Sequence, residues 1–453
     1  MVIDEGNLRK SIVKLAFPAV AEQFMVMVVG VISMAYAGHL GRQAISAVGF
    51  NNTMHTFIIS IFVAISTGGT VLVARLIGVG NIEKAKEAIK HSVVLGGILS
   101  FVFTGICYIF SENIVKFLFN GAEEEVLKAT LTYFRITLYS LPLALLNIII
   151  SGTLRGAGNT KTPMLIANAV NILNAILGYI LIFGIHFRSI IEIKGYGIEG
   201  AAVSVAISRT LGGILSIFVL YNKNSSTRVN IFQKFKLDRV IIARILNIGI
   251  PSAMEQILMH GGFLVFQIIL VRMGTVATAI YQVVMSINTM IMSPMLGFGI
   301  AATTLVGQCL GAKKPETAER SVWETQKIAL YISIALTIIL FIFPSLFLSI
   351  YTKDAEVINA GITAIRLYCI SQPFLAIVFV LSGGMRGAGD IKYVMVTTFI
   401  GIWCGRILLT ILLDHFWGFG MNGVWISIII DFLVRSILYI LRFRKGRWRE
   451  KEV

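Results

Sequence analysis

Twelve apolar stretches, each long enough to cross a bilayer, restrict what this chain can fold into. They lie near 12–37, 44–77, 89–111, 126–152, 163–186, 199–221, 240–272, 276–310, 321–350, 357–383, 392–415 and 421–441. A span needs about 20 mostly apolar residues, and hydrocarbon offers no water to satisfy a backbone N–H. The stretches are therefore read as transmembrane helices. The composition agrees: 14% of residues are charged, against about 25% in soluble domains.

The twelve segments form two sets of six. Phe17-Pro18-Ala19-Val20-Ala21-Glu22-Gln23 returns 233 residues later as Ile250-Pro251-Ser252-Ala253-Met254-Glu255-Gln256. Each copy is read as opening an apolar segment and placing a carboxylate about one helical turn inside it. The same offset relates Gly41 to Gly274, Ser60 to Ser293, Gly78 to Gly311 and Glu83 to Glu316. It falls to 231 for 151–159 against 382–390, and to 223 for 195–200 against 418–423. An even number of spans per half makes these parallel repeats, an arrangement seen in secondary transporters. The expected organisation is a six-helix lobe at 1–222, a cytoplasmic linker at 223–238, a second lobe at 239–441 and a basic tail at 442–453. A cavity between two such lobes is the natural place for a substrate.

The formal charge of +16 invites a nucleic-acid reading, and its distribution argues against one. Of the 39 Lys and Arg, 27 fall on the termini and the even-numbered connections and nine on the opposite connections. Arg209, Arg406 and Arg435 lie within spans. The positive-inside rule then puts both termini in the cytoplasm of a multi-pass cell-membrane protein. The tail is expected on anionic headgroups, so membrane lipids are expected partners.

Little else suggests chemistry. The four cysteines fall in apolar runs without zinc or disulfide spacing. No phosphate-binding G-x-x-x-x-G-K-[ST], metalloprotease helix or nucleophile elbow occurs, so no enzyme, metal site or cofactor is expected. Gly195-x-Gly197-x-x-Gly200 and its copy at Gly418, Gly420 and Gly423 lack the strand that a dinucleotide site needs. They read as turns opening the sixth and twelfth helices. The Arg-Gly-Ala-Gly runs at 155–158 and 386–389 read as cytoplasmic turns rather than phosphate loops.

The ionisable residues within spans are Glu22, His55, Arg209, Glu255, His260, Arg406, Asp431 and Arg435. Such groups are costly in hydrocarbon and are functional candidates by default. Glu22, Glu255 and Asp431 are the candidates for cation coupling; the competing reading of the two glutamates is a membrane-edge side chain. Asp431 and Arg435 stand four apart with the acid first, and Arg406 is a second possible partner. That set reads as a structural ion pair or as part of coupling. Arg209 has no local partner. Helical phase puts Glu22 and Ser33 on one face, and sets His260 four residues after Gln256. Polar stripes with Asn52 and His55, and with Gln282 and Asn288, recur in the second and eighth segments. They read as helix–helix glue or as cavity lining. The cavity-lining set is Ser33, Asn52, His55, Gln256, His260, Gln282 and Asn288.

Several motifs, in order and in duplicate, resemble the multidrug and toxic compound extrusion (MATE) family over essentially the whole chain. They are Pro-x-x-x-Glu-Gln at Pro18 and Pro251, Ala37-Gly38-His39-Leu40-Gly41 followed by Ala47-Val48-Gly49, and the repeated Arg-Gly-Ala-Gly-Asn/Asp. Gly423-Val424-Trp425 with Asp431-Phe432-Leu433-Val434-Arg435 completes them. The resemblance implies twelve helices in two lobes and antiport of cationic amphipathic compounds against Na⁺ or H⁺. It places Glu255 on the helix that carries a coupling carboxylate in many members, although others hold their acid a turn deeper. Many members have Asp where Ser33 stands, and Asp or Asn where Gly178 precedes Tyr179. Their N-lobe cation site is thus expected to be missing, which leaves coupling to Glu22, Glu255 or Asp431.

The resulting expectation is an all-α integral membrane protein, monomeric and not an enzyme. It is a secondary active multidrug efflux transporter that antiports small amphipathic organic cations against Na⁺ or H⁺. The alternatives are a flippase of a lipid-linked precursor and an exporter of one specific metabolite. A flippase would need a basic cavity, whereas the intramembrane charge here is mixed. A membrane receptor or scaffold would show no gradient dependence.

Overall fold

The computed structural model describes residues 7–119, 121–187, 191–221, 237–351 and 354–451. The first half begins with α1 (Leu8–His39), α2 (Arg42–Val79), α3 (Ile82–Ile109) and the short α4 (Ser111–Leu118). Next come α5 (Glu124–Leu138) and α6 (Leu141–Gly156), then α7 (Lys161–Phe183) and α8 (Gly197–Tyr221). The second half opens with α9 (Arg239–Arg272), α10 (Thr275–Gly311), α11 (Pro315–Ile342) and the short α12 (Pro344–Tyr351). It continues with α13 (Ala355–Ala388), α14 (Ile391–Phe399), a π-helical stretch over Ile400–Leu408, α15 (Leu409–Trp417) and α16 (Gly420–Arg444).

Among the described residues, eleven helical segments are each long and apolar enough to cross a membrane. Counting α5 and α6 as one span makes twelve. The all-α class and the twelve spans, six in each half, agree with the sequence reading. Details depart from it for local reasons. The fourth segment bends by 57° between α5 and α6, where Pro142 in the first turn of α6 has no N–H for the carbonyl four residues earlier, on Leu138, and its ring clashes with that carbonyl, so α5 cannot run on. The ninth breaks before Pro344 in the same way. The fifth ends at Phe183, because Gly184 turns to φ 80°. Gly184–Phe187 (β1) then pairs antiparallel with Ile191–Lys194 (β2). Pro18 and Pro251 lie well inside α1 and α9 rather than opening them, so Glu22 and Glu255 sit deeper than one turn from the helix start.

The glycine motifs are turns. Gly158 and Gly389, both at positive φ, follow the ends of α6 and α13, the usual way to stop a helix without a Cβ clash. Asn159 accepts the Thr162 amide at 3.1 Å. Gly195 and Gly197 lead into α8, and Gly418 and Gly420 into α16.

The chain forms two compact units. Phe24–Val73 and Ile82–Leu246 make the N-terminal unit; Met1–Gln23, Ala74–Asn81 and Asn247–Val453 make the C-terminal unit. Each unit therefore includes the start of the other half's first helix. The linker expected at 223–238 lies outside the described residues except for Leu237 and Asp238. In the N-terminal unit, Met54, Ile58, Phe62, Phe134, Leu138 and Leu145 join α2, α5 and α6 in one core.

In the C-terminal unit α10 packs along α13 through small residues. A Cβ on Gly383 or Gly387 would strike the backbone of Gly299 or Thr303. The Thr303 hydroxyl donates to the Gly383 carbonyl at 2.9 Å. Without a hydrophobic drive between helices in lipid, such close backbone approach supplies the packing. The end of α2 crosses the end of α10 in the same manner. A Cβ on Gly78 would meet Gln308 and Gly311, and one on Gly311 would meet Arg75 and Gly78. Since 78 and 75 correspond to 311 and 308 in the repeat, the crossing joins counterpart residues.

The basic tail packs on this unit. Trp448 is buried and stacks on Phe443 at 4.6 Å, and Trp323 meets Phe443 edge-on. Arg442 pairs with Asp390 at 2.8 Å, Arg449 pairs with Glu319, and Arg75 donates to the Lys451 carbonyl at 3.0 Å. Arg444, Lys445 and Arg447 remain exposed, free to meet headgroups.

Adding a methyl at the α2–α10 crossing forces backbones apart. Gly311→Ala is expected to lower stability by about 1–3 kcal/mol, the usual range for overpacking. Gly261→Ala on α9 meets nothing within 4 Å and is expected to hold or raise stability through helix propensity. Thermal unfolding of the two purified variants in detergent compares them.

Candidate functional site

The C-terminal unit holds two buried carboxylates, each bound to arginine. Glu255 on α9 is 2% exposed. Its Oε1 accepts Arg386 Nη2 at 2.5 Å and the Thr398 hydroxyl at 3.4 Å, and its Oε2 accepts Arg386 Nε at 3.4 Å. Arg386 comes from the last turn of α13 and Thr398 from α14. A Cβ on Gly262 would strike Ile402, so α9 and the π-helical stretch lie close. Trp403 donates to the Leu258 carbonyl at 3.1 Å and fixes that contact one turn from Glu255.

Asp431 on α16 is fully buried between two arginines. Its Oδ2 accepts Arg406 Nε at 3.0 Å and Arg435 Nη2 at 2.8 Å, and Arg435 Nε lies 2.6 Å from Oδ1. A π-helical turn admits an extra residue and re-aims side chains. Here the turn carries Arg406 and also Gly401, where a Cβ would collide with Asp431 and Arg435. The Arg406 guanidinium lies 5.3 Å from the Phe263 ring centroid and 5.4 Å from that of Phe432. Aromatic faces and one carboxylate thus share two cations, leaving the cluster one charge positive.

The N-terminal unit carries the third polar cluster. His55 on α2 is buried against Thr137 of α5 and Arg209 of α8. Asn51 is buried too and donates to the Thr130 carbonyl at 3.1 Å. Asn52, by contrast, is exposed, and Ser33 is half-buried on α1. In the C-terminal unit Gln256 and His260 are half-buried, Asn288 is buried and Gln282 is exposed. Glu22 is buried, 8% exposed, on the part of α1 that belongs to that unit.

The structure therefore joins Asp431 with both Arg406 and Arg435, and unites His55 with Arg209. It supplies partners for Glu255 that the sequence reading did not name. Arg386 sits in a glycine motif and reads as a turn residue. The signal was available in the repeat, because Pro-x-x-x-Glu and Arg-Gly-Ala-Gly are both duplicated and both bear one charge.

The comparisons with known proteins fit this architecture. The sequence profile of the MatE family matches residues 18–180 and 251–412, so one profile fits each half of the chain. The chain belongs to the MATE family of transporters. It is 29% identical to a probable multidrug resistance protein NorM of Thermotoga maritima, covering 99% of this chain and 94% of the relative. It is 25% identical to the uncharacterized transporter YisQ of Bacillus subtilis, covering 97% and 95%. Among solved structures, MATE in complex with MaL6 superposes with a TM-score of 0.90 at 22% identity, covering 97% and 96%. A transporter of the MOP superfamily from Pyrococcus furiosus gives 0.90 at 23% identity, covering 99% and 100%. The latter's binding pocket is described as having reverse polarity that suggests a different function. These structures are evidence for the fold alone.

The Glu255–Arg386 pair is asymmetric: the carboxylate side chain is 3% exposed and the guanidinium 24%. Removing the arginine strands the more buried charge. Arg386→Gln is expected to destabilise by about 3–5 kcal/mol, the range for breaking a buried pair. Glu255→Gln should cost less, and the double variant should recover most of the loss. A double-mutant cycle on unfolding midpoints measures this.

Proposed function

We propose that the protein is a secondary active multidrug exporter, expelling amphipathic organic cations in exchange for Na⁺ or H⁺. The observation that carries the reading is family membership across both halves, together with a relative named for multidrug resistance that aligns over 99% of the chain. The intramembrane carboxylates supply the means of coupling. Asp431 is held by two arginines, whereas Glu255 has one, and Arg386 is partly exposed. Glu255 is thus the acid whose cation can be exchanged.

The chemistry is competition for one carboxylate. An ionised Glu255 attracts Arg386, Na⁺ or the ammonium of a substrate, and a proton on Glu255 removes the attraction for all three. Binding of one ligand therefore weakens binding of the other, and a change of access between the two events couples their fluxes. Ser33 and Asn52 in the N-terminal unit, and Gln256, His260, Gln282 and Asn288 in the C-terminal unit, are the polar residues offered to the transported compound, whereas His55 is buried with both ring nitrogens already bonded. In this reading both termini face the cytoplasm, as the positive-inside rule supports, and the protein works as a monomer in the cell membrane.

Reconstituted protein should extrude ethidium when a Na⁺ or a proton gradient is imposed, each tested separately. Glu255→Gln should abolish efflux, with the protein still inserted in the vesicle. Full efflux in that variant would transfer coupling to Glu22 or Asp431. Silence of the wild type with both gradients would favour the second reading, a flippase or an exporter of one metabolite.

A further inference from the structure

Arg209 differs from the three arginines that hold the buried carboxylates Glu255 and Asp431. Arg386, Arg406 and Arg435 each hold a carboxylate at 2.5–2.8 Å. Arg209 lies in the middle of α8, and its hydrogen bond among the described residues goes to Nδ1 of His55, at 3.2 Å. The other acids described in its unit, such as Glu83, Glu112, Glu124 and Glu125, lie at the starts of helices, where they meet Lys86, Lys116, Lys128 and Gln43. Glu199 stands in the first turn of α8, ten residues before Arg209.

The proton inventory around His55 sharpens this. An arginine only donates, so Nδ1 of His55 bears no proton. Nε2 then carries it and donates to the Thr137 hydroxyl at 2.9 Å, which in turn donates to the Phe134 carbonyl at 3.0 Å. Every bond in the relay runs away from the guanidinium and ends on backbone. His55 is neutral, fully committed and 3% exposed, while Thr137 and Tyr133 behind it are sealed. The relay fixes Arg209 from one side and contributes no negative charge. Arg209 itself is half-buried. With five N–H donors and one accounted for, it presents a preoriented fork.

We propose that Arg209, positioned by His55 and Thr137, is a binding site for an anionic group: a carboxylate, phosphate or sulfonate borne by an amphipathic molecule. An uncompensated cation in this setting is a lasting penalty unless a ligand supplies the charge. A bidentate oxyanion matches the guanidinium fork better than any other partner. The N-terminal unit therefore selects for molecules with an acidic group, including zwitterions whose other end is cationic. This goes beyond the efflux reading and does not depend on it, because binding is read without a gradient.

The test uses a matched pair of dyes, rhodamine B with its free carboxylate and the ethyl ester of rhodamine B without it. Each is titrated by fluorescence anisotropy into the purified full chain in neutral detergent. The wild type should bind the acid more tightly than the ester. Arg209→Gln should weaken the acid about tenfold, the scale of one charge-assisted hydrogen bond, and leave the ester unchanged. Arg209→Lys, which keeps the charge without the fork, should weaken the acid by a smaller factor; it also serves if the Gln variant does not fold. Repeating the titration in nanodiscs separates the sources of the anion. Competition by phosphatidylglycerol, absent with phosphatidylcholine and lost in Arg209→Gln, names a lipid headgroup; absence of competition names a free solute. Both support the site. Equal affinity of the wild type for acid and ester, or an acid-to-ester ratio unchanged in both variants, overturns it. A protein that binds the acid in this way but extrudes no ethidium would keep the site and refute the efflux reading.

Discussion

A charge inside hydrocarbon has few stable arrangements, and the interior of this protein is arranged around that restriction. Isolated carboxylates and guanidinium groups lose hydration that no apolar neighbour replaces. In the C-terminal unit the remedy is pairing: Glu255 with Arg386, and Asp431 with Arg406 and Arg435. Those pairs bring together residues from α9, α13, the π-helical stretch and α16. Helices in lipid gain little from burying apolar faces against each other, so such links help to fix which helices are neighbours.

Pairing at these distances needs room, and the small residues provide it. Gly401 and Gly405 let α16 come close enough for Asp431 to reach Arg406. Gly262 lets α9 approach the π-helical stretch, where Trp403 bonds the Leu258 carbonyl. Sequence, packing and electrostatics thus act at the same places: a glycine admits the neighbouring helix, and the approach brings opposite charges into contact. The N-terminal unit uses neutral relays instead. Ser66 donates to the Ile148 carbonyl, and the Ser216 hydroxyl bonds Asn147 at 2.5 Å.

Much of this was legible in the sequence. Length and apolarity located all twelve spans, and the 233-residue offset announced the duplication. The i, i+4 spacing of Asp431 and Arg435 predicted a contact that exists. The partners of Glu255 were harder, because Arg386 and Thr398 are 131 and 143 residues away and no local period connects them. The bend before Pro142 and the π-helical stretch were also hidden. Each changes the path of a helix without changing its apolar length. The β1–β2 hairpin was missed for a related reason, since Ile185 and Phe187 look as suitable for a span as for a strand.

The crossing of α2 with α10 carries a record of origin. Gly78 and Gly311 are copies of one ancestral position, and here each lies against the other's backbone. Before duplication, a half-length chain assembling with itself about a two-fold axis would have placed that glycine against its own twin. Any side chain there would then have collided with an identical side chain, doubling the penalty of a single substitution. Fusion into one polypeptide lifts that restriction. Position 78 or position 311 can now change alone, and the counterpart can yield. A duplicated membrane protein is thereby released to become asymmetric.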